Sequence, residues 1–196
     1  MRLKLKNNHT MVFGLKGSGK SNWVQYVLNQ PAYQAHLMYD VCREHEPLRC
    51  YLPEHRRGDK AIAEFNEVLN RMIIEVEREQ RPEVLAIEEV SRLAPNRGGS
   101  PESLLELIDL NRHYGVGVVG VARRPAQVDT DLVELADNLI IFKLTGKNDY
   151  RRLESEKRGL GDAARELGEY EYLVVNGKRE YETHRPVPKM NTTGTL

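Results

Sequence analysis

Four short runs of apolar residues stand out in the pattern of hydrophobic and polar positions along the chain. They are "TMVF" (10–13), "VLAI" (84–87), "VGVVGVA" (116–122) and "NLIIFKL" (138–144). Apolar residues follow one another in these runs with little alternation, which is typical of strands that are covered on both faces of a sheet. The runs therefore predict the central strands of the fold.

Segments with helical character separate these strands. The segment "NWVQYVLNQ" follows the first strand and is closed by Pro31, and "TDLVELA" (130–136) predicts a short helix. Ser100 is placed as the N-cap of another helix, with Pro101 at its first position. A long amphipathic helix is predicted over residues 60–79. Its apolar positions at helical spacing are Ile62, Phe65, Val68, Leu69, Met72, Ile73 and Val76.

Strands alternate with helices over most of the chain. Two further short strands are predicted at "HLMYD" (36–40) and "RCYLP" (49–53). This alternation predicts an α/β fold with a mostly parallel central sheet and helices on both faces.

The last part of the chain has a different pattern. The strand-like runs "YEYLVV" and "KREYET" are joined by Asn176-Gly177, a pair that favours a two-residue hairpin turn. We therefore expect a single domain over residues 1–184 that ends in a C-terminal β-hairpin. Residues 185–196 contain two prolines and few apolar residues, and they are predicted to form a mobile or partner-docked tail.

Composition narrows the choice of partners. Lys plus Arg and Asp plus Glu both total 29, so the formal net charge is zero and no global positive field attracts nucleic acid. Any contact with DNA must then be local or produced by assembly.

No segment is apolar enough over about 20 residues to span a bilayer. Cys42 and Cys50 lack the spacing of a disulfide framework or a zinc site, and they are given no chemical role.

A phosphate-binding loop follows the first strand and precedes the first helix. The segment "GLKGSGKS" fits the pattern G-x-x-x-x-G-K-[ST] in the required strand–loop–helix context. Backbone N–H groups, the helix N-terminus and Lys20 would bind the phosphates, and Ser21 would offer its hydroxyl to Mg²⁺. The predicted cofactors are therefore ATP and Mg²⁺. The predicted nucleotide-binding residues are Gly14, Leu15, Lys16, Gly17, Ser18, Gly19, Lys20, Ser21 and Asn22.

Two carboxylates follow the "VLAI" strand. Hydrolysis needs a carboxylate near Mg²⁺ and a base that orients the attacking water. Glu88 is predicted to face the metal through its water shell, and Glu89 to polarise the water. The alternative interpretation is a pair of solvated acids at a strand end.

Four segments in order resemble the FtsK/HerA superfamily of DNA-pumping ATPases, and more closely its genome-packaging ATPases of membrane-containing icosahedral viruses. The segments are "GLKGSGKS", "VLAIEEV", "LNRHYGVGVVGVARRPAQVD" and "ELADNLIIFKLTG". The third keeps the residues Arg112, Gly115, Ala122, Arg124 and Pro125 of the superfamily pattern. The resemblance covers about residues 10–146.

The resemblance implies a RecA-like P-loop NTPase fold in which the "VGVVGVA" strand lies between the phosphate-loop strand and the "VLAI" strand. The end of that strand would then face the γ-phosphate, where the superfamily has a glutamine sensor and this chain has Arg123. Arg123 is predicted to read the phosphate or to point to a neighbouring subunit. Arg112 is the first candidate for an arginine finger that enters the next subunit's site, ahead of Arg124 and Arg92. Any of these arginines can instead form a surface salt bridge, which is the preferred interpretation for Arg92.

The resemblance also implies the partners. Superfamily members form hexameric rings that thread double-stranded DNA, so we expect a homo-oligomer, duplex DNA, and capsid or portal-vertex proteins as partners. The expected location is the cytoplasm of an infected cell, or the packaging vertex of the virion. Loop cations would contact the DNA backbone. The candidates are Arg97, Arg56, Arg57 and Lys60.

Other functions start from the same phosphate loop. A small-molecule kinase would use "TGKNDYRRLESEKRG" (145–159) as an arginine-rich lid, although it has no need for the two glutamates. A conjugation or phage-export ATPase would share the catalytic core, and a nucleotide-dependent scaffold would bind ATP without turnover.

Overall fold

The computed structural model describes residues 3–45, 48–76 and 82–190, with the backbone alone described at 73–76. Strands and helices alternate as predicted. The first half contains β1 (His9–Phe13), α1 (Lys20–Leu28), β2 (His36–Tyr39), β3 (Cys50–Tyr51), α2 (Gly58–Val76), β4 (Val84–Ile87), α3 (Glu102–Asp109) and α4 (Asn111–Tyr114). The second half contains β5 (Gly117–Ala122), α5 (Thr130–Glu134), β6 (Asn138–Phe142), α6 (Lys147–Glu156), α7 (Leu160–Glu166), β7 (Tyr172–Asn176) and β8 (Tyr181–His184).

The described strands form one sheet in the order β3-β2-β4-β5-β1-β6-β7-β8. Strands β3 to β6 pair in parallel, while β7 and β8 are antiparallel and form the predicted C-terminal hairpin. Strand β5 lies between β4 and β1, as the family resemblance implied. The carboxyl ends of these three strands therefore meet at one edge of the sheet, where parallel α/β sheets bind ligands.

Both faces of the sheet are covered. Helix α1 packs on one face through Trp23, Val24 and Leu28. Residues of α2, α3, α5, α6 and α7 form the larger core on the other face. Phe65, Val68, Leu69 and Met72 of α2 are buried as predicted, whereas Ile62 is half-buried. The side chains of Ile73 and Val76 and the predicted helix end at residue 79 lie outside the described residues.

Two local predictions are wrong by one residue. Helix α3 begins at Glu102 with Pro101 as its N-cap, because the hydroxyl of Ser100 donates to Asp129 Oδ2 at 2.6 Å instead of capping the helix. The hairpin turn is centred on Gly177-Lys178. Asn176 is the last residue of β7, and its side-chain oxygen accepts bonds from the N–H groups of Lys178 and Glu180.

A buried histidine gives the fold a pH dependence. Burial lowers the pKa of His9 to about 3 from an ordinary value of 6.5, because a charged imidazole would lose its hydration inside the sheet. Between these values the unfolded chain binds the proton and the folded chain does not, so the folded state loses stability as the pH falls below 6.5.

We expect His9→Leu to remove this dependence. Below pH 6.5, the free energy of unfolding of the wild type should fall relative to that of the variant by about 1.4 kcal/mol for each pH unit. Urea titrations between about pH 7 and pH 5 measure it. Exposed His113 offers a matched control as His113→Gln, which should follow the wild type. Equal slopes for His9→Leu and the wild type would contradict the assignment.

Candidate active site

The loop between β1 and α1 has a backbone that only glycine adopts readily. Gly17 and Gly19 have φ angles of 78° and 106°, in the region where a side chain is strained. At Gly14 an added Cβ would come within 2.6 Å of both Phe142 Cβ and Ser18 Oγ. The three glycines of the motif are therefore needed for the loop to wrap around the start of α1.

The polar groups inside this loop fit a phosphate ligand. Lys20 is buried, and its Nζ donates to the carbonyl oxygen of Leu15 at 2.9 Å. Burial lowers the pKa of Lys20, and the nearby Glu88 and Glu89 partly oppose this shift. The hydroxyl of Ser18 is buried and has no hydrogen-bond partner among the described residues. Phosphate oxygens supply both the negative charge and the acceptors that these groups lack.

The two glutamates follow β4 directly and are both buried. Glu88 Oε2 lies 3.2 Å from His45 Nε2, and the N–H of His45 donates to Asp40 Oδ2 at 2.9 Å. The other oxygen of Asp40 accepts the N–H groups of Cys42 and Arg43. Asp40 thus fixes the loop that holds Glu88 in place. Sequence reasoning missed Asp40 and His45, although Asp40 directly follows β2, the strand that pairs with β4.

Arg123 contacts the second glutamate. Its Nε donates to Glu89 Oε1 at 2.5 Å, across the carboxyl ends of β5 and β4. Glu89 has left-handed backbone angles, with φ of 49° and ψ of 46°, which is uncommon for a residue other than glycine. This backbone directs a buried carboxylate toward the end of β5, where the resemblance placed a phosphate sensor.

A cavity of about 220 Å³ brings these groups together. It is lined by Lys16, Gly17, Lys20, Ser21, Cys42, Glu44, Glu88, Glu89 and Arg123. The phosphate loop, both glutamates and Arg123 therefore share one site, although they are far apart in the sequence.

The ligand atoms of this cavity suit Mg²⁺. The hydroxyl of Ser21 and the carboxylate of Glu88 are oxygen donors, which this cation prefers. Ligand atoms of Cys42, Glu88 and Glu89 also lie within 4.8 Å of one another. Burial raises the pKa of Cys42 to about 11, with Glu88 and Glu89 acting in the same direction, so the thiol stays protonated. Mg²⁺ is a hard cation that prefers oxygen to sulfur, so the oxygen donors suit it better than Cys42 does.

A second cavity of about 430 Å³ lies beside the phosphate loop. Residues 185–190, which we call the C-terminal strap, form one of its walls. Asn22 holds the strap, donating to the carbonyl oxygen of Pro188 at 3.0 Å and accepting the N–H of Met190 at 2.8 Å. The lining residues are Gly17, Gly19, Lys20, Ser21, Asn22, Phe142, Tyr170, Pro186, Val187, Lys189 and Met190.

Part of the predicted mobile or partner-docked tail packs against the domain. Met190 is buried, and Val187 packs against the smaller core. The predicted tail residues 191–196 lie outside the described residues.

Rings and aliphatic groups line most of the second cavity. Such a lining suits a nucleobase next to the phosphate loop. Phe142, Tyr170 and the strap are thus functional candidates that no sequence motif indicated.

Arg112 and Arg124, two candidates for the arginine finger, lie in different places. Arg112 is 75% exposed and pairs with Asp137, which also accepts the N–H of His9 at the start of β1. Arg112 therefore lies at the end of the sheet opposite the phosphate loop. Arg124 Nε donates to the buried Asp149 of α6 at 2.9 Å, so Arg124 holds a structural ion pair.

A third cavity, of about 660 Å³, is lined by four arginines and is called the arginine cavity below. Two of the predicted DNA contacts, Arg57 and Arg97, line it together with Arg92 and Arg123. The predicted contacts Arg56 and Lys60 are exposed, but they are not part of this lining. Glu89 and Arg123 line both the arginine cavity and the phosphate cavity.

Comparison with known proteins agrees with this geometry. Residues 10–144 match the model of the ATPase family associated with various cellular activities (AAA). No curated protein sequence matches the chain.

Several solved structures resemble the chain in fold. The genome packaging NTPase B204 from Sulfolobus turreted icosahedral virus 2, in complex with ATP-gammaS, has a TM-score of 0.80 at 16% identity, over 93% of this chain and 98% of that one. EssC (ATPases 2 and 3) from Geobacillus thermodenitrificans has a TM-score of 0.64 at 15% identity, over 97% of this chain and 42% of that one. At such low identity the likeness shows a shared fold, and it confirms the predicted RecA-like architecture.

Proposed function

Since the chain belongs to the ATPase family associated with various cellular activities (AAA) and shares its fold with FtsK/HerA-type ATPases, we propose that it uses ATP hydrolysis to move double-stranded DNA. In this proposal it acts as a ring of subunits that packages a viral genome into a preformed capsid. One observation carries the proposal. At the carboxyl ends of three neighbouring strands, one cavity is lined by the phosphate loop, Glu88, Glu89 and Arg123.

The described residues can carry out hydrolysis. Lys20 and the N–H groups at the start of α1 bind the β- and γ-phosphates. Glu89 accepts a proton from water as the water oxygen attacks the γ-phosphorus, and the bond to the β–γ bridging oxygen breaks to give ADP and phosphate. Ser21 and Glu88 would hold Mg²⁺, which would neutralise part of the charge of the phosphates. The nucleobase lies in the cavity walled by Tyr170 and the C-terminal strap.

The position of Arg112 supports a ring. Because it lies at the sheet edge opposite its own phosphate loop, it can act as an arginine finger only in a neighbouring subunit. A head-to-tail contact that repeats by rotation closes into a ring, and each site then lies between two subunits.

A likeness in fold supports DNA as the substrate polymer. The packaging NTPase of the Sulfolobus virus covers nearly the whole chain, and the arginine cavity supplies local positive charge in a protein of zero net charge. Packaging implies capsid or portal-vertex proteins as docking partners and action in the cytoplasm of an infected cell.

Among the described residues, no helix is both long and apolar enough to cross a membrane.

The segment that a kinase would use as a lid has another role. It forms α6, in which Tyr150 and Leu153 are buried. Arg152 donates to the carbonyl oxygen of Thr130 and pairs with Glu134 and Glu156. A helix packed and paired in this way favours the motor over the kinase.

We expect duplex DNA to stimulate ATP hydrolysis and to favour a larger oligomer. The measurement is the steady-state ATPase rate together with oligomer mass by light scattering, each with and without duplex DNA. Because backbone phosphate contacts dominate DNA affinity, stimulation should weaken steeply as salt is raised.

The same assay distinguishes the alternatives. A monomer that ignores DNA but transfers phosphate to a nucleoside monophosphate would make the protein a kinase. An ATPase that responds to a secreted protein and not to DNA would make it an export motor.

A further inference from the structure

The arginine cavity lies next to the phosphate cavity, which is the cavity lined by Lys20, Glu88 and Glu89. We propose that the arginine cavity binds inorganic phosphate and is the route by which the phosphate product leaves the active site. The inference rests on the proposed hydrolysis of ATP, and it adds a product-binding site outside the phosphate loop.

The two cavities share a wall. Glu89 and Arg123 line both of them, and the hydrogen bond from Arg123 Nε to Glu89 Oε1 joins these two residues. The Arg123 side chain is 48% exposed, so its guanidinium group can contact an anion on either side of the wall. A phosphate can therefore move from the phosphate cavity into the arginine cavity without losing contact with Arg123.

The arginine cavity carries positive charge that the described residues do not neutralise. Arg123 pairs with Glu89, but within the part of the chain that the structure describes, no carboxylate forms an ion pair with Arg57, Arg92 or Arg97. Guanidinium groups around one cavity repel one another, and an anion bound among them relieves this repulsion. Arginine also offers paired N–H donors whose geometry fits the oxygens of a phosphate.

The charge of Arg92 reaches the phosphate cavity as well. Cys42 lines that cavity. Burial raises the pKa of its thiol to about 11, and the positive charge of Arg92 acts in the opposite direction. An arginine that is close enough to act on this thiol also attracts an anion that forms beside it. The positive charges of the two cavities therefore act on the same product.

Hydrolysis changes the charges at the shared wall. In the proposed mechanism, the water oxygen bonds to the γ-phosphorus, the bond to the β–γ bridging oxygen breaks, and the water proton goes to Glu89. The products are ADP, a phosphate dianion and a neutral Glu89. Arg123 is then attracted less by the neutral carboxyl group than by the dianion, because hydrogen bonds between charged partners are the stronger ones.

The loop on one side of the arginine cavity is held in place by hydrogen bonds. The N–H of Asn96 donates to the carbonyl oxygen of Gln127 at 3.1 Å, and the Asn96 side chain donates to that of Ala126 at 3.0 Å. These bonds join the loop that carries Arg97 to the turn that follows Arg123. Arginines from distant segments are thus kept around one space before any anion binds.

The site can be tested without hydrolysis. A non-hydrolysable ATP analogue fills the phosphate loop with its own γ-phosphate, and equilibrium dialysis then measures the binding of radiolabelled inorganic phosphate elsewhere. The wild type should bind about one phosphate per subunit. Arg57→Gln/Arg97→Gln should bind it at least about 10-fold more weakly, because charged hydrogen bonds are lost.

The matched control is Arg151→Gln/Arg158→Gln. This pair removes the same charge from exposed arginines that do not line the cavity, and it should bind phosphate as the wild type does. Equal weakening in the two pairs, or no phosphate bound by the wild type beside the analogue, would overturn the site.

The exit route is tested in a single turnover of ATP. Chemical quenching measures cleaved phosphate, and a fluorescent phosphate-binding protein measures free phosphate. We expect the delay between the two to be at least about 10-fold longer in Arg57→Gln/Arg97→Gln than in the wild type, because the dianion leaves Lys20 without the cations that stabilise it on its way. The delay is measured against cleavage in the same variant, so a change in cleavage does not affect it. A wild-type delay in this pair, or an equal increase in the control pair, would overturn the route.

Failure of the inference and failure of the proposed function give different results. If the wild type cleaves ATP but the cavity pair binds and releases phosphate as the wild type does, hydrolysis stands and the inference falls. If the wild type cleaves no ATP, with or without duplex DNA, the proposed function falls and the exit route falls with it. The dialysis experiment needs no turnover, so it still decides whether the cavity binds phosphate.

Discussion

Replacing Glu89 by glutamine is expected to lower the ATPase rate by about 10²- to 10⁴-fold, the usual contribution of a general base. The amide keeps the shape of the side chain but cannot take a proton from the attacking water. The phosphate loop is unchanged, so ATP should remain bound with nearly wild-type affinity. Single-turnover hydrolysis and equilibrium binding of a fluorescent ATP analogue measure the two quantities separately.

The control for Glu89→Gln is a variant that loses binding. Lys20→Ala removes the buried ammonium that faces the phosphates, and loss of a charged hydrogen bond of about 1.5 to 3 kcal/mol should weaken ATP binding roughly 10- to 150-fold. Turnover by Glu89→Gln at the wild-type rate would show that another group activates the water.

Arg112→Ala is expected to reduce turnover in the assembled ring by about 10³- to 10⁵-fold, the effect of removing an arginine finger. Loss of its exposed pair with Asp137 costs the fold no more than about 1 kcal/mol, so the subunit should stay folded. The isolated subunit should bind ATP normally, because Arg112 lies far from its own phosphate loop. Arg151→Ala, which removes another exposed arginine, is the matched control.

Mixed rings separate a finger that acts in trans from one that acts within its own subunit. An interface between an Arg112→Ala subunit and a Glu89→Gln subunit can combine an intact Glu89 with an intact Arg112. Mixtures of the two inactive variants should therefore recover part of the activity. A complete lack of recovery at every ratio, in rings shown to contain both variants, would remove Arg112 from the active site.

The sequence predicted most of the strands and the core of the site for a physical reason. A buried strand is visible in the sequence as a local run of apolar residues. The phosphate loop and the Glu88-Glu89 pair are each contiguous in the sequence and lie at strand ends. The turn at Gly177-Lys178 was misplaced by one residue because the Asn176 side chain bonds the backbone of the turn from within the strand. The helix start at Glu102 was misplaced because Ser100 bonds a residue 29 positions away.

Features made by distant segments escaped prediction. The cavity beside the phosphate loop needs Asn22 and the C-terminal strap, which are separated by more than 160 residues and carry no motif. Likewise, no sequence pattern indicated that Arg57, Arg97 and Arg123 line one cavity. The resemblance placed Arg123 near the γ-phosphate, but only the structure shows its hydrogen bond to Glu89.

The C-terminal strap separates completion of the sheet from completion of the cavity beside the phosphate loop. All eight described strands and the phosphate loop lie before residue 185, whereas Pro186, Val187, Lys189 and Met190 form one wall of that cavity. The strap is held to α1 by the two hydrogen bonds of Asn22. A change confined to the strap would therefore alter the wall of the cavity and leave every strand pairing of the sheet in place.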